Sequence, residues 1–517
     1  MVTGSETTGA TRQQLLAEWR WWLPPALLTL ALALIFVDPF AGDWDALDYT
    51  VLAVNGQPSS MILGRILFIF ANHGLWRAAH ALFDLSPENA YLLFKYAVVV
   101  ESPLATIAWW TLARDLAGSV RAATIAALML ALSPFYIIYS GQAMTEIPSL
   151  LLLAVALTIH LRGLRYGSTA MVLVGAALLG LGVNVREGVA LFAPWLILAP
   201  LACGWKFGRR FVATTLIACL IFTVCAFGPF ASWWLLDIDH YRKSWHGWVE
   251  MTRQESALHP VTFGNMGRLL HFFFIASPLA LVAFPVAAFK EWKRRGSLSP
   301  LLLLGVIGFL ANLSLIVHYS VVLNGRYLLT GVPAMTPLVA DYFLRTEAAK
   351  SATTRRAFAV VLLGLFFTAG IFALYSWPAG SGYIRQRALA KEYRAQLALV
   401  PPDAVMISGG QTVAVTYWRG LGAGRWEVIG SGGAWPGERL PQVIEQYLRQ
   451  GRRVFLDADP RWWANTGWQK AETRMLPGLE SRFRFRRVSD TIYELRPPDD
   501  ETANDQPNLQ RLLEKQG

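Results

Sequence analysis

Cysteine is nearly absent: Cys203, Cys219 and Cys225 are the only three in 517 residues. All lie in or beside apolar runs and no C-x-x-C spacing occurs, which excludes a disulfide framework and a cysteine metal site. They are expected to be small, buried apolar residues. Charge is also sparse, with 16% Asp, Glu, Lys and Arg against 54% hydrophobic residues. That balance excludes an ordinary soluble protein. The sequence has no internal repeat and no dinucleotide fingerprint, and Ser408-Gly409-Gly410 and Gly430-Ser431-Gly432-Gly433 read as plain strand-to-helix turns. A net charge of +11 would suggest nucleic acid in a soluble chain. Here the basic residues sit in short connections between apolar runs, where they set the orientation of membrane spans, so no nucleic-acid partner is implied.

What the chain has in abundance is apolar runs near the ~20 residues that cross a bilayer. They fall at 23–40, 90–112, 120–139, 146–164, 169–185, 188–203, 211–236, 267–289, 299–319, 326–345 and 356–377, eleven in all. With that count, Arg114/Arg121, Arg162/Arg165, Lys206/Arg209/Arg210, Lys290/Lys293/Arg294/Arg295 and Arg345/Lys350/Arg355/Arg356 all occupy alternate connections on one side. The positive-inside rule makes that side cytoplasmic. Residues 1–22 are then a cytoplasmic tail, with Trp19, Trp21 and Trp22 at the interface. The first span lacks a small-residue cleavage site and is expected to remain as an anchor. The loops 41–89 and 237–266 and everything after about 378 face the outside of the plasma (inner) membrane.

Three carboxylates, Asp43, Asp45 and Asp48, follow the first run directly. Carboxylates so close to hydrocarbon are costly unless they have a task. Behind them, Arg65, His73, Arg77 and His80 interrupt the run Met61 to Phe83, a pattern that predicts one or two helices along the outer membrane surface. Arg65, Arg186 and Arg326 lie on the wrong side for orientation and need another explanation. Glu146 opens a span after Thr145, either as a capping acid or as a site residue. Arg186 and Glu187 occupy a tight turn, either solvated or functional. Arg326, in Asn324-Gly325-Arg326-Tyr327-Leu328-Leu329, either snorkels to headgroups or binds a phosphate through its fork of donors. Glu101 lies within a span and must face the bundle interior. His240 and His246 match no helical metal spacing.

From 379 to 497 the pattern becomes that of a small α/β domain. Strands are expected at 404–407, 426–429 and 453–457, helices at 411–418 and 440–450, and a hairpin of 482–487 with 491–495 about Ser489-Asp490. The polar segment 498–517 reads as disordered.

Sugar transfer from a lipid-linked phosphate needs a base for the acceptor hydroxyl and cations for the departing phosphate. An outer-loop carboxylate and outer arginines supply that inventory. The acidic loop after the first span, the surface helices behind it, the acid opening the fourth span, the Arg326-Tyr327-Leu328-Leu329 start to a late span and the C-terminal domain together resemble GT-C glycosyltransferases. Among these, protein O-mannosyltransferases and aminoarabinose transferases are the nearest in pattern. The resemblance covers 23 to about 378. It implies a polytopic α-helical membrane enzyme with an extracytoplasmic α/β domain, which moves a sugar from a polyprenyl-phosphate donor to a protein, lipid or glycan, with inversion. It places the base on Asp45 or Asp43, a second acidic position on Glu146, and donor-phosphate contacts on Arg65, Arg326 and Arg186. The sequence requires no cofactor, and a divalent metal is left open because no ligand set compels one. The competing reading is a transporter or flippase, but such proteins show inverted repeats with broken helices near the midplane, whereas here the polar residues gather at the outer ends. A receptor or assembly protein would have no use for Asp43, Asp45 and Glu146.

Overall fold

The computed structural model describes residues 17–37, 44–59, 65–237, 261–318, 325–348, 397–408, 412–429, 437–459 and 476–500, with 364, 395, 502, 503, 505, 507 and 509 as single positions. The chain divides into two compact units, one of Met1–Asp38, Asn55–Asp84 and Leu92–Gly382, the other of Pro39–Val54, Leu85–Tyr91 and Tyr383–Gly517.

The first unit is helical. Its helices are α1 (Trp19–Ile35), α3 (Ile66–Phe83), α4 (Ala90–Ala117), α5 (Val120–Ala131), α6 (Pro134–Tyr139), α7 (Glu146–Tyr166), α8 (Thr169–Val183), α9 (Pro194–Ala202), α10 (Arg209–Leu236), α11 (Phe263–Ala276), α12 (Pro278–Arg295), α13 (Pro300–His318) and α14 (Leu328–Ala348). Short polar residues start several of them. The Ser119, Ser168 and Thr262 side chains accept hydrogen bonds from the third backbone N–H that follows, which satisfies a donor the helix leaves open. Gly167 and Gly296 end α7 and α12 in the left-handed conformation, where a Cβ would be strained.

Among the described residues, three helical stretches are long and apolar enough to cross a membrane: Pro87–Ala117, Glu146–Tyr166 and Arg209–Leu236. A fourth counts if the pair α11 and α12 is one span. The apolar helices α1, α5, α8, Glu187–Ala202 and Pro300–Leu315 are shorter. Two expected spans are broken. The run 267–289 bends by 100° between α11 and α12. Ser277 is extended there, its hydroxyl caps Ala280, and Pro278 has no N–H to continue the first helix. The run 120–139 is interrupted at Ser133-Pro134, where Ser133 is again extended and Pro134 again lacks an N–H, but the Ser133 hydroxyl makes no cap. The eleventh expected span, 356–377, lies outside the described residues except for Gly364.

The buried interior of this unit is aromatic and small, with Trp109, Trp110, Tyr136, Phe94 and Trp195 among its largest enclosed side chains. Hydroxyls stitch it together. Thr29 of α1 meets Thr106 of α4 at 3.0 Å, and Tyr136 of α6 donates to the Ser102 carbonyl at 2.7 Å. Where α7 crosses α8, glycine permits the approach: a Cβ on Gly175 would lie 2.7 Å from the His160 backbone nitrogen.

The second unit is built on a five-stranded sheet, order β2-β1-β3-β5-β4. Its strands are β1 (Val405–Ile407), β2 (Glu427–Ile429), β3 (Val454–Asp457), β4 (Arg484–Arg487) and β5 (Ile492–Arg496). β1 pairs in parallel with β2 and β3, while β5 is antiparallel to β3 and β4. The parallel pairs require crossover helices, supplied by α15 (Thr412–Gly420) and α16 (Leu440–Arg449). Leu440 and Ile444 of α16 bury against Val405, Ile407 and Leu456 on one sheet face. Met406, Phe455 and Ile492 on the other face pack with Tyr417, Trp418 and Trp426.

Two boundaries differ from the sequence expectation. Helix α2 (Trp44–Asn55), read as part of the membrane module, joins this second unit because Leu47 is buried in its core and Val51 packs beside it. The segment after 497, read as disordered, folds back in its described positions. Asp505 bridges Phe485 on the open edge of β4, the Leu509 amide donates to Glu480 at 3.0 Å, and Ala503 and Leu509 are fully buried. An edge strand carries unpaired backbone groups, and the tail supplies partners for them.

Candidate active site

The site forms where α7, the turn before α9, α3 and α14 begin. Glu146 is the first residue of α7, where the helix dipole favours a carboxylate. Its side chain is fully buried. Burial at that depth requires a counter-charge. Arg186 provides it, donating from one terminal nitrogen to Glu146 Oε1 and also to the Thr145 hydroxyl at 3.2 Å. Arg186 is itself only 4% exposed, so the sequence alternative of a solvated turn residue does not hold. Arg326 adds a second cation, its Nε 3.6 Å from Glu146 Oε1.

Tyr327 lies beneath both cations, with its ring centroid 5.4 Å from the Arg186 guanidinium carbon and 5.3 Å from that of Arg326. Cation–π attraction at such distances holds two like charges side by side. Arg326 and Tyr327 sit in a 3-10 turn, Gly325–Tyr327, that leads into α14. A Cβ on Gly325 would fall 2.0 Å from the Phe135 ring, so only glycine lets the turn pack this closely.

Arg65 enters from a third element. It precedes α3 in the left-handed region, φ 77°, a conformation that costs a non-glycine residue about 1–3 kcal/mol and persists only where the surroundings fix it. Here they do: the Leu67 amide donates to the Asn184 carbonyl at 3.2 Å, and the Arg65 side chain is buried 3.5 Å from Glu187. Glu187 also lies in the field of Arg186, which lies in those of Glu146 and Arg326. The five charged groups are therefore one electrostatic network, three arginines against two glutamates. Glu146 Oε2 has no hydrogen-bond partner among the described residues and is an acceptor facing the network.

Of the residues singled out in the sequence, Glu146, Arg186, Arg326 and Arg65 meet in this network. Asp45 is in the first turn of α2 in the second unit, half-buried. Asp43, His240 and His246 lie outside the described residues. Sequence reasoning missed the roles of Glu187 and Tyr327 as partners of these arginines. A tyrosine directly after the arginine at a span mouth was the available signal. Glu101 stays apart, with its Oε2 buried and unpartnered among the described residues.

A second charged cluster lies at the other end of α7. Arg162 donates to Asp115 at 2.5 Å, Arg165 donates to the Asp115 carbonyl, and Arg114 makes two bonds to Glu18 at 3.0 and 2.8 Å. Arg162 and Arg165 follow Glu146 by 16 and 19 residues along α7, roughly 24–29 Å at the helical rise and close to a hydrocarbon thickness. Among the described residues no three of His, Cys, Asp or Glu converge as a metal site. The carboxylates of the network are held by guanidinium groups, so the described donor set does not fit a metal.

No protein-family model matches the sequence, and no curated protein matches it. Solved structures do match the fold. ArnT from Cupriavidus metallidurans, in the apo state, aligns over 94% of this chain and 98% of its own, with a TM-score of 0.54 at 14% identity. The oligosaccharyltransferase of Archaeoglobus fulgidus aligns over 92% of this chain and 73% of its own, with a TM-score of 0.52 at 13% identity. With its helices, its buried charge network and these two likenesses together, the chain has the fold of the GT-C membrane glycosyltransferases.

Proposed function

We propose that the protein transfers a sugar from a polyprenyl-phosphate-linked donor to an acceptor hydroxyl on a protein, lipid or glycan at the extracytoplasmic membrane face. The observation that carries this reading is the excess of guanidinium over carboxylate at the head of α7, with Arg186 and Arg326 converging on one buried glutamate. In the transfer, the acceptor oxygen attacks the anomeric carbon and the bond from that carbon to the phosphate oxygen breaks. The phosphate departs with the electron pair and the acceptor proton passes to a carboxylate. Attack opposite the leaving group inverts the anomeric centre. Arg186, Arg326 and Arg65 stabilise the charge on the leaving phosphate, each such donor being worth roughly 3–4 kcal/mol in a dry site. Glu146 holds the arginines in place, and its second oxygen accepts a hydrogen bond from a sugar hydroxyl. The base is Asp45, with Asp43 two residues away as the alternative, an assignment that rests on the acidic loop sequence. The clusters at the two ends of α7 support a topology with the Asp115 cluster cytoplasmic and the Glu146 network outside.

The test is release of polyprenyl phosphate from a panel of polyprenyl-phosphate sugars by the full chain in nanodiscs. We expect Arg186→Ala and Arg326→Ala to lower kcat by roughly 100-fold or more, and Asp45→Asn to abolish transfer with folding intact. Normal turnover in the double arginine variant would overturn the site. Normal turnover in both Asp45→Asn and Asp43→Asn would overturn the base.

A further inference from the structure

The sheet of the second unit carries a concentration of arginine that nothing in sugar transfer uses. Strands β4 and β5 pair Arg484 with Arg496 and Arg486 with Glu494. Residues that face each other across a ladder, and those two apart along a strand, share a sheet face. Arg453, just before β3, joins them: its Nε donates to Glu494 at 2.6 Å. Arg496 lies 3.0 Å from the same carboxylate and Arg486 donates to its other oxygen. The Glu494 side chain is 1% exposed, whereas those of Arg453, Arg486 and Arg496 are 46%, 45% and 32% exposed.

One buried carboxylate requires one cation, yet three arginines meet this one and Arg484 stands beside them on the same face. Arginine opposite arginine across an antiparallel pair is destabilising in itself. Asp500 offsets part of the excess from the rim, 4.0 Å from Arg496. Four cations against Glu494, Asp500 and Asp403, whose charge acts on Arg453, leave the face net positive. The unused donors are on the open side: both terminal nitrogens of Arg453 and of Arg484 have no hydrogen bonds among the described residues. Glu494 fixes three of the guanidinium forks in position, so little side-chain freedom remains to be lost on binding.

We propose that Arg453, Arg484, Arg486 and Arg496 form a binding face for a phosphomonoester or pyrophosphate group, whose negative charge suits a net positive face and whose oxygens fit planar guanidinium forks. The phosphate is carried by a lipid headgroup or by a soluble phosphate compound, and Asp500 is the intramolecular anion that it displaces.

The experiment uses the full chain in nanodiscs of neutral lipid, with hydrogen exchange of residues 482–498 read during titration with pyrophosphate. Saturable protection is expected. It should weaken at least tenfold in Arg484→Gln/Arg486→Gln, a surface change that leaves Arg453 and Arg496 on Glu494, and it should persist in Arg326→Gln. Asp500→Asn should tighten it severalfold. Protection without pyrophosphate in nanodiscs containing phosphatidic acid identifies a lipid headgroup as the source. Protection by pyrophosphate alone identifies a soluble one. Absence of protection by either probe, equal protection in the double arginine variant, or protection by an acidic polysaccharide but not by pyrophosphate, would overturn the proposal.

Discussion

At the scale of single residues, Glu146 decides the character of the site. A carboxylate with no solvent contact serves both as anchor for Arg186 and as near neighbour of Arg326. Removing its charge leaves a buried guanidinium uncompensated, an effect of about 3–5 kcal/mol where it has been measured in buried pairs. Glu146→Gln is therefore expected to lower the thermal unfolding temperature in detergent and to reduce turnover together. A variant that unfolds like wild type would show that the arginines do not depend on it. Sequence alone left Glu146 poised between cap and site residue, because its helix-start position explains an acid there equally well. Arg186 was left open between a solvated and a functional residue for a related reason. A short polar turn reads as exposed until the surrounding helices are known to close over it.

At the scale of elements, glycines and prolines set where charged residues can go. Gly325 lets the turn bearing Arg326 and Tyr327 lie against Phe135, and a methyl group there has no room without movement of the ring or of the turn. Gly325→Ala is expected to lower turnover by tenfold or more with every charged residue in place; unchanged kinetics would show that the turn tolerates displacement. In the sheet of the second unit, Glu494 supplies a pH dependence. Burial alone would raise its pKa, but the hydrogen bonds and charges of Arg453 and Arg496 outweigh it and hold the carboxyl below the usual glutamate range. A depressed folded-state pKa stabilises the fold at pH values above the unfolded pKa, so this contribution is complete at neutral pH and is lost as pH falls below about 4. Protection of β5 amides from exchange should therefore weaken in acid, and Glu494→Gln should remove that part of the acid sensitivity.

At the scale of the whole chain, the acidic segment after the first helix belongs by packing to the second unit. Leu47, two residues from Asp45, is 3% exposed in a core with Met406, Phe455 and Trp418. Deleting its side chain to alanine should cost the unit about 2–5 kcal/mol. We expect Leu47→Ala to lower the melting temperature of the second unit and, by loosening α2, to lower sugar transfer while touching no charged group. If the unit melts earlier but turnover is unchanged, the order of α2 is irrelevant to catalysis. The same unit holds the C-terminal domain. Its strands and crossover helices were legible because period-two and amphipathic patterns are local, whereas the fold-back of Ala503 and Leu509 rests on two apolar positions in a polar tail, too weak a pattern to read.

The sequence by itself determined that apolar helices dominate, that basic residues fall in alternate connections between apolar runs, and that a strand-and-helix pattern follows after about 379. Those properties depend on composition and on spacing within a single element, which chain order preserves. Only the tertiary structure decided which ionisable residues meet. Glu146, Arg186 and Arg326 are separated by 40 and 140 positions in the chain, and no local pattern relates them. Their meeting depends on helix crossings set by glycine contacts and on the low dielectric of the interior, which makes an unpaired charge too costly to leave there. The same holds for Leu47, whose apolar side chain in an acidic loop acquires meaning only from the sheet that buries it.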